Sequence, residues 1–319
     1  MNQGPYVSKG YLAISLDPIH VGTGEQKMAR VDKSIVREPS TDLPKVPATS
    51  IAGSLRAYVG LHYADRFMRE GAGRLPSNCA EDPGMRFCMK PDCPICVIFG
   101  FPEGEKGKRG FMSMVQFFDA HIAFFPVRTM VGPVWVTSPA VLGGMVESGL
   151  LPEDGPAVEL GPDENGLQTD VKGGKLNLGW VLLDVRAGSS PLSESGRRGL
   201  KGMGVPGMVL DRLVLVPDKL FGQVVNSNLE VRTSTAIDPF TGSSLEGALF
   251  TYEAIPRSTV FAFSAIYKDP RNFQLGGQKL TKEVGWVVEN VEMGMKYWEF
   301  LGIGGMVTRG MGRMRVLNA

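Results

Sequence analysis

Glycine and proline punctuate this chain so often that long unbroken elements are excluded. Of 319 residues, 41 are glycine and 22 are proline. Glycine loses the most backbone freedom on ordering, and proline removes a donor and fixes φ. The pattern therefore predicts short strands, long connections and few long helices. Two stretches escape it. Ile51, Leu55, Tyr58, Val59 and His62 recur at three- and four-residue steps after Pro47, with Thr49 or Ser50 placed to cap a helix. Val284, Val287, Val288, Val291, Met295 and Trp298 form a second helical stripe. Strand-like runs are predicted at residues 11–16, 111–118, 121–125, 179–185, 224–231, 247–252, 260–267 and 314–316. Strand, helix, strands, helix and strand in that order predict an α+β fold with helices on one face of a sheet. A β-α-β-β-α-β unit carrying long insertions fits best.

Charge is placed rather than abundant. The 34 basic and 33 acidic side chains leave a net charge of +1. That argues against a non-specific electrostatic binder of nucleic acid, which carries a large basic excess. Yet residues 301–319 hold Arg309, Arg313 and Arg315 and no acid. The hydrophobic content is that of a globular protein, and no run approaches the ~20 apolar residues of a membrane span. The first residues lack the basic-then-apolar pattern of a secretory signal, so a cytoplasmic location is the default expectation.

All four cysteines, Cys79, Cys88, Cys93 and Cys96, fall within eighteen residues, spaced C-x8-C-x4-C-x2-C. In a reducing compartment four thiolates suit a tetrahedral zinc ion better than disulfides. Such a set leaves no open position for water, so the zinc would be structural and would pin an insertion at residues 77–100. His62 is the alternative to Cys79 as fourth ligand, and small buried hydrophobes are the alternative to a metal site.

The remaining motifs lie in loops. His20-Val21-Gly22-Thr23-Gly24 is followed by Val31-Asp32-Lys33-Ser34-Ile35-Val36-Arg37-Glu38-Pro39 and by the stretch from Pro44 to Arg56. Further on come Asp119-Ala120-His121, Trp135-Val136-Thr137-Ser138-Pro139, Ile237-Asp238 with Thr241-Gly242, and Glu246 to Phe250. Gly302-Ile303-Gly304-Gly305 leads to Thr308-Arg309-Gly310-Met311-Gly312-Arg313. This last loop follows a helix rather than a strand, so it is not a dinucleotide fingerprint. Together the motifs resemble the RAMP superfamily of CRISPR proteins, and most closely the repeated backbone subunit of type III-B effector complexes, with the type III-A backbone subunit second. Cys93-Pro94-Ile95-Cys96-Val97-Ile98-Phe99-Gly100 resembles a cysteine feature of the same superfamily. One position departs from the pattern: Ala52 stands where the family has a lysine before Gly53.

The resemblance implies a single RRM-like palm over residues 1–319, with a β-hairpin thumb at about 231–253. It implies a filament of copies stacked head to tail on guide RNA, together with other effector subunits. Complementary target RNA would be cut at regular intervals by Asp32 with Mg²⁺ or Mn²⁺. The alternative is an RNA-binding scaffold that does not cut, with Asp32 a loop carboxylate paired to Arg30 or Arg37; a guide-processing nuclease is the weakest reading. Ser50, Gly53 and Arg56 would meet phosphate at the first helix, and Gly304, Gly305, Thr308 and Arg309 at the C-terminal loop. Arg232 would touch the RNA backbone, and Phe240 or Ile237 would be the wedge at an Asp238–Gly242 hairpin turn. His20 either assists proton transfer or packs under the Gly22–Gly24 turn.

Overall fold

The computed structural model describes residues 4–24, 31–67, 79, 87–102, 110–159, 166–187, 189–244 and 249–319. Six elements carry the frame: β1 (Tyr6–Ser15), α1 (Ala48–His62), β2 (Ala120–Thr129), β3 (Val260–Lys268), α2 (Val284–Lys296) and β4 (Met314–Val316). Their order across the sheet is β4-β1-β3-β2, every neighbour antiparallel. Helices following β1 and β3 complete the β-α-β-β-α-β, ferredoxin-like arrangement. The α+β expectation holds, and β4 spans the predicted final strand.

Burial explains the strand sequences. Tyr11, Leu12 and Ala13 are all fully buried, because both faces of β1 are covered. Tyr11 and Ala13 join Ile51, Leu55 and Val59 of α1 and Val287, Val291 and Met295 of α2 in one core. Leu12 faces the opposite way, with Phe124, Trp135 and Val260. Helices on one face only was therefore too simple. Short helices at Pro139–Glu147, Glu194–Gly202 and Gly207–Leu210, all from the segment between β2 and β3, contribute Leu142, Leu200 and Leu210 to this second core. Their glycine content and brevity hid their periodicity.

A second correction concerns residues 224–231. Helix Asp218–Ser227 occupies the first half of that span, and a strand begins only at Glu230. Phe221, Val224 and Val225 are one buried helical face; paired valines look like a strand, but their neighbours repeat at the helical period.

The cap of α1 also differs from expectation. Pro47 is the N-cap, without a side-chain bond, and Thr49 and Ser50 lie inside the first turn. The free Ala48 N–H is met by the Asp119 carboxylate at 2.7 Å. Lys45 holds the same carboxylate at 2.6 Å. An acid 71 residues away thus does what a local serine was expected to do.

Strands Glu230–Ser234 and Phe250–Ala254 form an antiparallel ribbon outside the main sheet, with Glu230 opposite Ala254 and Ser234 opposite Phe250. Beyond the ribbon the Asp238 carboxylate accepts the Phe240 N–H at 2.8 Å, and Gly242 adopts φ 68°. No helix among the described residues is long and apolar enough to cross a membrane.

Candidate nucleic-acid interface and metal centre

Asp32 sits where the N-terminal loop docks on the ribbon. Lys33 bridges to Tyr252 in a parallel sense, its N–H bonding Thr251 O and its carbonyl accepting the Glu253 N–H. This contact aims the Asp32 carboxylate at Thr251. Oδ2 accepts the Thr251 N–H at 2.6 Å and the Thr251 hydroxyl at 3.0 Å. Oδ1 carries no protein hydrogen bond among the described residues. The Thr251 N–H, then its hydroxyl, hold this exposed carboxyl below the usual carboxylate range. Arg37 pairs with Glu253 at 2.9 Å and lies near Asp42, leaving Asp32 outside its ion pairs.

A cleft opens beside this loop. Gly22, Ser50, Gly53, Ser54, Gly304 and Gly305 line it, with a volume of about 520 Å³, a size suited to a nucleotide-sized ligand. Two loops remote in sequence meet here because Gly305 N–H donates to His20 O at 2.8 Å. Gly304 has φ 83°, and a Cβ there would stand 2.5 Å from the same carbonyl, so only glycine fits. His20 is 5 % exposed. Its Nδ1 lies 2.6 Å from Glu253 O; a carbonyl only accepts, so Nδ1 carries the proton and Nε2 is left against Gly22.

The α1 contribution differs in kind from the expectation. The Ser50 N–H is already bonded to Pro47 O, and Asp119 sits on the helix N-terminus. Ser50 and Gly53 therefore offer a hydroxyl and a bare, exposed backbone rather than free N–H groups.

The other candidate residues scatter. Arg232 is tied to Glu230. Phe240 is 96 % exposed, and Ile237 63 %. Thr308 is exposed beside Arg309, whose guanidinium lies 5.1 Å from the Phe250 ring centroid. The Lys33 ammonium lies 4.7 Å from that centroid. Neither Lys33, Phe250 nor Thr251 had been assigned a role. What joins them to Asp32 is pairing across 219 residues, which no local pattern records.

Arg56 turns inward. Its Nη1 donates to Gly100 O at 3.0 Å, and the guanidinium lies over the Phe87 ring at 5.3 Å. Its Nη2 is buried with no hydrogen-bond partner among the described residues.

Next to it the four cysteines converge, all sulfurs within 4.8 Å of one another. None is disulfide-bonded. Cys79 Sγ is 2.9 Å from Cys96 Sγ, while His62 bonds the Tyr297 hydroxyl, so the fourth member is Cys79. Cys93 caps the Pro94–Phe99 helix, accepting the Cys96 N–H; Cys79 accepts the Cys88 N–H at 3.3 Å. These N–H···S bonds favour thiolates. The unpartnered guanidinium N–H fits the negative charge that four thiolates keep after binding a divalent ion. A metal ion can be held here.

The ferredoxin-like frame, detached ribbon, glycine-lined cleft and embedded cysteine centre define the architecture of the chain. The family model of the RAMP superfamily matches residues 14–315, and the chain belongs to that superfamily. It is 26 % identical, over 97 % of its length and 95 % of the relative's, to the CRISPR system Cmr endoribonuclease Cmr4 of Pyrococcus furiosus. In fold it is similar to a chain of a type III-B Cmr-beta complex solved by cryo-electron microscopy bound to cognate target RNA. There the TM-score is 0.65 and the identity 17 %, covering 98 % of this chain and 99 % of that one. It is also similar to the crystal structure of oligomeric Cmr4 from Pyrococcus furiosus, with TM-score 0.60, 20 % identity and 98 % of each chain covered.

Proposed function

We propose that the chain is the guide-RNA-binding backbone subunit of a type III-B CRISPR effector and an endoribonuclease that cuts complementary target RNA at regular intervals. The observation that carries the reading is the Asp32 carboxylate, with Oδ2 committed to Thr251 and Oδ1 without a hydrogen-bond partner among the described residues. Copies stack head to tail on the guide, other effector subunits complete the complex, and base pairing supplies sequence choice. The ribbon and its tip act as the thumb, with Phe240 or Ile237 entering the duplex. Ser50, Gly53, Gly304, Gly305 and Thr308 follow the RNA backbone along the cleft. The work is done in the cytoplasm.

The target carries its own nucleophile, the 2′-hydroxyl, so the protein's task is chiefly to hold an in-line geometry. A carboxylate as acidic as Asp32 is a weak base near neutrality. Asp32 would instead help to hold a divalent ion, whose preference for oxygen ligands a carboxylate meets. When bound, Mg²⁺ or Mn²⁺ offsets the charge of the scissile phosphate. His20, buried with its proton on Nδ1, holds the loop rather than moving protons. The cysteine centre holds structural Zn²⁺. A non-cutting scaffold is the competing reading, favoured by the solitary state of Asp32: no metal-ligating group of three or more includes it among the described residues.

The test is cleavage of labelled guide-complementary RNA by the assembled complex, with Mg²⁺ or EDTA, for wild type and Asp32→Ala. Evenly spaced products that require metal and vanish in the variant support the nuclease. Target binding without cleavage by wild type leaves the scaffold.

A further inference from the structure

Arginines close in sequence to the Asp32 loop, the ribbon and the C-terminal loop are mostly neutralised. Arg37 pairs with Glu253, Arg232 with Glu230, Arg313 with Asp17 and Arg315 with Glu299. Lys33 and Arg309 are held differently. Both cationic heads lie over one ring, that of Phe250, at 4.7 and 5.1 Å from its centroid. No ion pair involves either among the described residues. An aromatic face restrains a cation at an exposed site, and it does so without cancelling the charge. A carboxylate in the same place would have spent it.

Phe250 is also fixed relative to Asp32. The next residue, Thr251, gives that carboxylate its N–H and hydroxyl. Ser234 pairs with Phe250 across the ribbon, and Tyr252 lies ring to ring with Phe250 at 5.9 Å. Three segments distant in sequence thus bring to the same short stretch of strand one carboxylate oxygen and two cations that no described residue pairs.

We propose that Lys33 and Arg309, set in place by Phe250, form a clamp for the scissile phosphodiester of the target strand. The proposal rests on the endoribonuclease reading. Attack of the 2′-oxygen on phosphorus forms one P–O bond, closing a 2′,3′-cyclic phosphate, and breaks the bond to the 5′-oxygen; the 2′-hydroxyl proton passes to water and the departing 5′-oxygen takes a proton from water. As it proceeds, negative charge builds on the two non-bridging oxygens, and fixed cations stabilise that charge more than they stabilise the resting phosphodiester. Asp32 cannot serve these oxygens directly, since like charges repel. The clamp supplies the attraction that lets a carboxylate and a phosphate share the site. Phe250 is a positioning residue: it removes rotamer freedom from two long side chains before the RNA arrives.

The experiment uses the complex reconstituted with guide RNA and follows single-turnover cleavage beside target affinity. Affinity is read on a target with 2′-deoxy sugars at the cut sites. Lys33→Met and Arg309→Met are each expected to slow cleavage roughly 10- to 100-fold while changing affinity less than about threefold. Phe250→Leu is expected to slow it about tenfold, and Phe250→Trp, which keeps an aromatic face, to restore most of the rate. Cleavage at the wild-type rate in both methionine variants overturns the clamp. So does a defect confined to affinity, which marks ordinary backbone contacts, and Phe250→Leu indistinguishable from wild type removes the ring from the argument. A wild-type complex that binds but never cuts fails the nuclease reading itself, and is told apart by needing no variant.

Discussion

Two glycines of the C-terminal loop separate the effect of backbone conformation from that of close approach. Gly304 and Gly310 have nearly the same left-handed φ, 83° and 74°. Around Gly310 a new Cβ meets nothing within 4 Å, whereas at Gly304 it stands 2.5 Å from His20 O. Gly310→Ala therefore bears only the conformational cost, about 1–2 kcal/mol. Gly304→Ala adds displacement of a packed backbone, about 1–3 kcal/mol, and weakens the Gly305 N–H bond to the same carbonyl, about 1 kcal/mol. The difference between the variants should be about 2–4 kcal/mol. For a chain of this length each kcal/mol shifts the midpoint by roughly 1.5 °C. Gly304→Ala should then melt about 3–6 °C below Gly310→Ala, read by thermal circular dichroism on matched samples. Equal midpoints would refute the claim that the loop and the His20 segment are locked by contact. Because the His20 carbonyl joins both sides of the cleft, the same variant should also bind guide RNA more weakly than Gly310→Ala in a filter assay.

Other outcomes follow from the centre and from Asp32. Cys93→Ser should lose most of the stoichiometric zinc that wild type retains through gel filtration, measured by plasma mass spectrometry, with a lower melting midpoint that EDTA no longer changes. Arg56→Met should keep the metal but release it faster to a chromophoric chelator; unchanged release would detach Arg56 from the centre. The Thr251 N–H and hydroxyl lower the Asp32 pKa, so cleavage should stay flat on the acid side until pH falls below the usual carboxylate value of about 4. Thr251→Val removes the hydroxyl, raises the Asp32 pKa, and should move that acid limb upward; a pH–rate profile unchanged by the substitution would separate Asp32 from the observed rate.

The frame was legible because its information is local. Helical stripes such as Val284, Val287, Val291 and Met295 and the alternation in β1 record which face is buried. The cysteines were legible for the same reason, since one short span holds all the ligands. What stayed hidden was long-range. The cap on α1 comes from Asp119, the anchor of Asp32 from Thr251, and the inward turn of Arg56 from Gly100 and Phe87. The helix at 218–227 was misread because paired valines suit either period over a short window. For the cap, the anchor and Arg56, a partner far along the chain decided which of several locally reasonable roles a residue took.

Strand Phe250–Ala254 is shared between two structures. One edge closes the ribbon, while Thr251 and Glu253 bond the loop that carries Asp32 and Lys33. Among the described residues, one strand joins the projecting ribbon directly to the Asp32 carboxylate. A tilt of that strand would carry Asp32 with it. On the proposed function, where the arm lodges and where the cut falls would be a single mechanical setting, and the spacing of the products would measure the stacking of the subunits rather than any property of the strand being cut.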